Sequence, residues 1–118
     1  MPRIPVLKLK DVLIVSLQVE MQDHLALELQ DDILTTLSRT AARGLVLDVS
    51  GIDVVDSFLG RIIADTASMA RLMGAETVLA GLQPAVAIVL TELGLKLPQI
   101  RTALNLERGL LLLEKGPR

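Results

Sequence analysis

The chain has 118 residues, a formal net charge of −2, no cysteine, one histidine and a single aromatic residue. Without cysteine there is no disulfide framework or thiolate metal site, and a slightly acidic chain without stacking aromatics has no conventional nucleic-acid surface. The length predicts a single domain, residues 1–118, and a hydrophobic fraction of 51% excludes disorder.

The N-terminus is broken by Pro2 and Pro5 and has no signal-peptide core, and no run of about 18 apolar residues follows. We therefore expect a cytoplasmic protein without a membrane partner.

The first predicted elements are two short strands. In the segment 4–10, Leu7 and Leu9 alternate with Lys8 and Lys10, which predicts an edge strand with one solvated face. Residues 10–11 are the predicted hairpin turn. Residues 12–17 are nearly all apolar, as in a strand covered on both faces.

An amphipathic helix follows, and we expect Asp23 to cap its start and Gly44 to occupy the position just after its end. Its apolar residues recur every four positions: Leu25, Leu29, Ile33 and Leu37. A strand over residues 45–50, a loop over 51–56 and a second helix from about Ser57 to Met73 come next, the helix closed by Gly74.

The remaining third of the chain repeats this alternation. It predicts a strand over residues 77–81, a helix from Pro84 to Gly94, a weak strand over 100–104 and a last helix over 106–115 capped by Asn105. The order indicates an α/β domain with a mixed central sheet of about five strands and a leading antiparallel hairpin. The glycines lie at element ends and form no phosphate-binding cluster, so no nucleotide cofactor is expected.

Metal binding has two weak candidates. His24 can meet only Glu28 on its helix, which is too few ligands for a metal. Asp48, Asp53 and Asp56 surround the loop before the second helix and offer oxygen ligands of the kind Mg²⁺ takes. Helix capping and bonds to loop amides account for these carboxylates more simply, so we expect neither a metal nor a cofactor.

Ser57 allows three interpretations at the start of the second helix. The hydroxyl is most simply a helix cap. A hydrolytic nucleophile is disfavoured, because its neighbours Asp56 and Phe58 are not small and the only histidine belongs to another helix. A phosphoacceptor is the third interpretation: the helix N-terminus favours a phosphate and the adjacent carboxylate opposes it.

Two segments carry a family resemblance. Residues 48–57 read Asp-Val-Ser-Gly-Ile-Asp-Val-Val-Asp-Ser, and residues 78–84 read Val-Leu-Ala-Gly-Leu-Gln-Pro. Together they resemble the STAS domains, the family of anti-sigma-factor antagonists, over essentially the whole chain. Simple antagonists of the family usually read Asp-Ser-Ser-Gly or Asp-Ser-Thr-Gly at the helix start, whereas here the glycine comes one place later, at Gly60. The Asp-Ser-Phe opening is similar to the stressosome branch of the family.

The resemblance implies a non-enzymatic scaffold whose phosphoacceptor is Ser57. Such a scaffold assembles with sensor-bearing STAS paralogues into a large particle, sequesters a switch serine kinase and releases it on phosphorylation, and a phosphatase resets it. The alternative is a simple antagonist that binds an anti-sigma kinase one-to-one. The mean hydropathy of +0.53 indicates either a dense core or a surface covered by self-association or a partner. The predicted partner surface is Gly51, Ile52, Asp53, Asp56, Phe58, Leu59 and Arg61.

Overall fold

The predicted alternation of strands and helices is confirmed by a computed structural model, which describes residues 4–17, 22–92 and 100–114. Within these ranges the sheet has five strands in the order β1-β2-β3-β4-β5; β1 and β2 are antiparallel and the other neighbours are parallel. The elements are β1 Leu7–Leu9, β2 Val12–Ser16, α1 Asp23–Thr40, β3 Gly44–Asp48, α2 Ser57–Leu72, β4 Glu76–Ala80, α3 Pro84–Glu92, β5 Arg101–Ala103 and α4 Leu106–Glu114.

The helices divide unequally between the two faces of the sheet. Buried residues of α1, α2 and α3 form one large cluster with the strands, whereas α4 alone packs on the opposite face, over Val46 and Val78. The central strands β3 and β4 are therefore apolar on both faces, which explains their continuous hydrophobic runs. Each fully buried side chain such as Leu45 or Leu79 contributes about 1.5–3 kcal/mol.

Strand β1 differs from the expectation of one buried face. Leu7 is 58% exposed and Leu9 is 49% exposed, so both faces of the strand contact solvent. Their register partners in β2 are Ile14 and Val12, which lie on the α4 side of the sheet. Helix α4 packs against β3, β4 and β5, and no described element covers β1 on that side. Alternation in a sequence does not reveal whether a helix reaches the strand.

Both predicted ends of α1 are wrong. Asp23 is the first helical residue, and the N-cap is Gln22, which makes no side-chain capping bond. The left-handed residue at the other end is Ala41, with φ 53°, whose N–H donates to the Leu37 carbonyl at 2.9 Å. Gly44 instead begins β3 and lies under Leu113: a Cβ on Gly44 would be 2.8 Å from Cδ1 of that side chain.

Other boundaries agree more closely. Helix α2 starts at Ser57 as predicted and ends at Leu72, one residue early. Helix α3 starts at Pro84, and α4 follows Asn105, whose Oδ1 accepts from the Arg108 N–H at 2.9 Å. The predicted ends of these two helices, at residues 94 and 115, lie outside the described residues. No helix within the described ranges is long and apolar enough to span a bilayer.

Arg43 joins the hairpin to α4. Its guanidinium pairs with the Asp11 carboxylate and donates through Nη1 to the Leu113 carbonyl at 2.9 Å, while its backbone N–H donates to the Asp11 carbonyl at 2.8 Å. The hydrogen bond from Arg43 is the main reason that the pKa of Asp11 lies below its usual value. A cation at the last carbonyls of α4 also complements the dipole of that helix.

The hydroxyl of Thr77 is buried without a hydrogen-bond partner, beside Leu45 in the β3–β4 register. We expect Thr77→Val, which keeps the shape and removes the unsatisfied group, to raise the free energy of unfolding by about 1 kcal/mol. Thr102→Val makes the same change at an exposed strand position and should have little effect. Chemical denaturation measures both, and a loss of stability in Thr77→Val would contradict the interpretation.

Candidate functional site

The loop between β3 and α2 lies at the carboxyl ends of the parallel strands. It is held to the sheet by a hydrogen bond from the Val49 N–H to the Ala80 carbonyl at 2.9 Å. Ile52 is fully buried and Val55 is 5% exposed, so both side chains anchor the loop in the core. The residues between these anchors face solvent. The loop is therefore a rigid surface feature with a buried base.

Asp48 shapes the first turn of this loop. Its Oδ1 accepts from the Ser50 backbone N–H at 3.0 Å and from the Ser50 hydroxyl at 2.7 Å. Such a bond from a carboxylate to the residue two places ahead stabilises a tight turn directly after the strand. The expectation that Asp48 binds loop amides is confirmed.

Asp56 is the N-cap of α2. Its backbone is extended, with φ −93° and ψ 176°, and its Oδ1 accepts from the Leu59 N–H at 2.8 Å. The carboxylate satisfies one of the amides that the first helical turn leaves unpaired. With Asp48 and Asp56 used in this way, Asp53 alone of the three acids has no hydrogen bond to a residue that the structure describes. In the part of the chain that the structure describes, no three metal-ligating side chains gather around a common point.

Ser57 is the first residue of α2 and is exposed. The simplest interpretation, that its hydroxyl caps the helix, is wrong, because Asp56 occupies that position. Among the described residues nothing accepts a hydrogen bond from Oγ of Ser57, so none of them is placed as a general base for this hydroxyl. The residue is exposed to solvent at the start of the helix.

The predicted partner surface is only partly at the surface. Gly51, Asp53, Asp56 and Arg61 are exposed, and Phe58 is half-buried against the core.

Ile52 and Leu59 are a correction. Ile52 has no exposed surface and Leu59 is 7% exposed. Both pack in the large core cluster between the sheet and helices α1, α2 and α3. Neither offers a face to a partner, and their role is to hold the loop and α2 in place. Val54, which is 72% exposed beside the buried Val55, was not among the predicted partner residues. Two adjacent valines in an extended loop point to opposite sides, and this alternation was the available signal.

The loop after β4 supports the loop after β3. Gln83 donates from Nε2 to the Ser50 carbonyl at 2.9 Å. Gly81 has φ +75°, and a Cβ at this position would lie 2.8 Å from Cβ of Ser50. The two segments that carried the family resemblance are thus in direct contact, which spacing along the chain did not predict.

Comparison with known proteins identifies the family. The sequence model of the STAS domain matches residues 3–108. This chain belongs to the STAS domain family. Two Bacillus subtilis proteins are similar: the RsbT co-antagonist protein RsbRA, 27% identical over 92% of the chain, and RsbRD, 28% identical over 90%. The chain spans about two fifths of their length, 39% and 38% respectively.

Solved structures of similar length resemble this STAS domain throughout. A serine-to-glutamate variant of Moorella thermoacetica RsbS is 40% identical with a TM-score of 0.87, and 96% of each chain is covered. A chain from a structure of the stressosome, described as a signal integration and transduction hub, is 38% identical with a TM-score of 0.81, covering 93% of this chain and 96% of that one. The anti-sigma factor antagonist SpoIIAA, at 16% identity and a TM-score of 0.78, shares the fold.

Removal of the Asp56 carboxylate tests its capping role. We expect Asp56→Ala to lower the free energy of unfolding by about 1 kcal/mol, because the Leu59 N–H loses its acceptor. The matched control is Asp53→Ala in the same loop, which removes an equal charge without a hydrogen bond and should change stability by less than about 0.5 kcal/mol. Equal losses in urea denaturation would mean that charge, not capping, matters.

The contact between the two loops is tested at Gly81. Gly81→Ala combines a strained positive φ with a collision against Ser50, whereas Gly74→Ala has φ +89° and no atom within 4 Å. We expect the first substitution to lower the unfolding free energy by at least about 1 kcal/mol more than the second. Thermal or chemical denaturation measures the difference, and equal effects would show that the loop gives way freely.

Proposed function

We propose that this protein is a non-enzymatic stressosome scaffold that sequesters an RsbT-type switch serine kinase and releases it when that kinase phosphorylates Ser57. The observation that carries the proposal is the Ser57 hydroxyl, which is exposed at the first position of α2 and unbonded because Asp56 caps the helix. This geometry gives a kinase access to the hydroxyl without unfolding of the helix.

The similar proteins support the scaffold role. RsbS and the stressosome chain match this domain over nearly their whole length, so a single STAS domain is sufficient to form such a subunit. The two similar Bacillus proteins are named RsbT co-antagonists and are more than twice as long as this chain. We infer that the partners here are an RsbR-type paralogue with an additional sensor region, further copies of this chain and an RsbT-type kinase. A phosphatase resets Ser57, and the assembly operates in the cytoplasm in a general stress or related signalling response.

Release follows from charge at the partner surface. A phosphoserine adds about −1.5 to −2 charge at neutral pH. It appears beside Asp53 and Asp56, which are already exposed and acidic. A partner docked on this surface must desolvate the new anion or meet repulsion, and mutation of such contacts typically costs several kcal/mol. The hydroxyl of Ser57 makes no contact with the core, so the fold itself persists.

Substitution of Ser57 tests the switch. With purified kinase and ATP, Ser57→Ala should lose phosphate incorporation and retain the kinase, while Ser57→Asp should bind it at least about tenfold more weakly. Ser68→Ala is the control, since this exposed serine lies on the same helix three turns away. All three variants should unfold within about 0.5 kcal/mol of the parent protein.

The outcomes separate the alternatives. Incorporation that survives in Ser57→Ala and disappears in Ser68→Ala would move the switch to the other serine. Full kinase affinity in Ser57→Asp would contradict release by charge. The particle size with an RsbR-type paralogue distinguishes the two family roles, because a scaffold elutes as a large assembly and a simple antagonist as a small one-to-one complex.

A further inference from the structure

Arg61 lies one helical turn after Ser57 on α2. Residues four apart on a helix are neighbours, with Cβ atoms about 5–6 Å apart. Both side chains are exposed. Among the described residues Arg61 forms no ion pair and no side-chain hydrogen bond, whereas Arg43 and Arg101 are both paired. An unpaired guanidinium is therefore within reach of the Ser57 hydroxyl.

The surrounding charges leave Arg61 available. Asp56 is bound to the Leu59 N–H through Oδ1, and Asp53 lies farther back in the loop. Asp65 is one turn beyond Arg61, but an acid that follows its base by four residues is the less favourable order for a helical ion pair. In α2 the next cation is Arg71, more than two turns beyond Arg61.

We propose that a phosphate on Ser57 is captured by Arg61 of the same chain, and that this capture withdraws Arg61 from the partner surface. The inference rests on the proposed function, since it concerns the regulation of the same site. An anion four residues before a cation is the favourable order, and the planar guanidinium can bind two phosphate oxygens at once. Phosphate also carries more charge than Asp65, so it displaces that weaker competitor.

The capture changes the mechanism of release. Repulsion alone would leave Arg61 exposed and able to bind an acidic group of the kinase. After capture, Arg61 is paired with the phosphate and is no longer available to the kinase. The kinase therefore loses an attractive contact and meets an added anion in one step. Arg61 partly neutralises the phosphate, and this limits the repulsion between the phosphate and the Asp56 carboxylate at the start of α2.

The test installs phosphoserine at position 57 during translation, so that no kinase is needed. Phosphorus NMR titration then gives the second pKa of the phosphate in the otherwise unaltered protein, in Arg61→Gln and in Arg71→Gln. A neighbouring cation favours the dianion, so we expect the pKa to be lower with Arg61 than with Gln by roughly half a unit. Arg71→Gln removes the same charge from the same helix and should leave the pKa where it is.

Arg61→Lys gives an intermediate pKa if an ion pair is responsible. Equal pKa values in Arg61→Gln and the parent would overturn the capture. Because Arg61 is exposed and unpaired, circular dichroism should show that all these variants fold normally.

Kinase binding to the unphosphorylated protein tests the withdrawal. Arg61→Gln should bind the kinase at least about threefold more weakly, as expected for a lost surface charge pair, and Arg71→Gln should bind as the parent does. Unchanged binding in Arg61→Gln would overturn the withdrawal. The titration involves no kinase, so failure of the kinase to label Ser57 contradicts the proposed function and leaves the capture result intact.

Discussion

The hydrogen bond between the Asp56 carboxylate and the Leu59 N–H determines where α2 begins, and the geometry of the site depends on that position. Because the preceding aspartate supplies the cap, the serine that follows has no structural task. A serine cap would have its oxygen directed into the helix end and occupied by an amide. Here the same turn of helix holds a structural carboxylate and a free hydroxyl next to each other, and each can change without the other.

Packing and chemistry are divided between different residues of the loop and the first turn of α2. Ile52, Val55 and Leu59 enter the core and fix the backbone, while Asp53, Val54 and Ser57 face outward on that fixed support. Gln83 and Gly81 add a second support from the neighbouring loop. A surface built in this way keeps its shape when its charge changes. The proposed switch therefore acts through charge and needs no rearrangement of the domain.

Local patterns predicted most of the fold and the start of α2, because capping residues and apolar spacing are properties of neighbouring residues. The errors arose where distant contacts decide. Whether β1 is covered depends on how far α4 extends, and the side chain that packs over Gly44 is Leu113, 69 residues later. Ile52 and Leu59 belong to a segment that resembles the family's functional motif. A motif does not distinguish the buried residues that support a surface from the exposed residues that a partner could contact. Arg61 has no ion-pair partner among the residues that the structure describes, and its spacing along the chain could not reveal this.

Arg43 has a consequence for the cooperativity of the domain. It connects the turn between β1 and β2 to the last carbonyls of α4, a contact across 70 residues. Such a distant contact forms only after the sheet is assembled, because loop closure must precede it. The hairpin lies at one edge of the sheet beside β3, and α4 packs on the face formed by β3, β4 and β5. Local opening of one removes a contact from the other, so Arg43 couples the stability of the hairpin to that of α4. Asp11 and Arg43 precede β2 and β3, so this contact lies at the amino ends of these parallel strands, whereas the loop before Ser57 lies at their carboxyl ends.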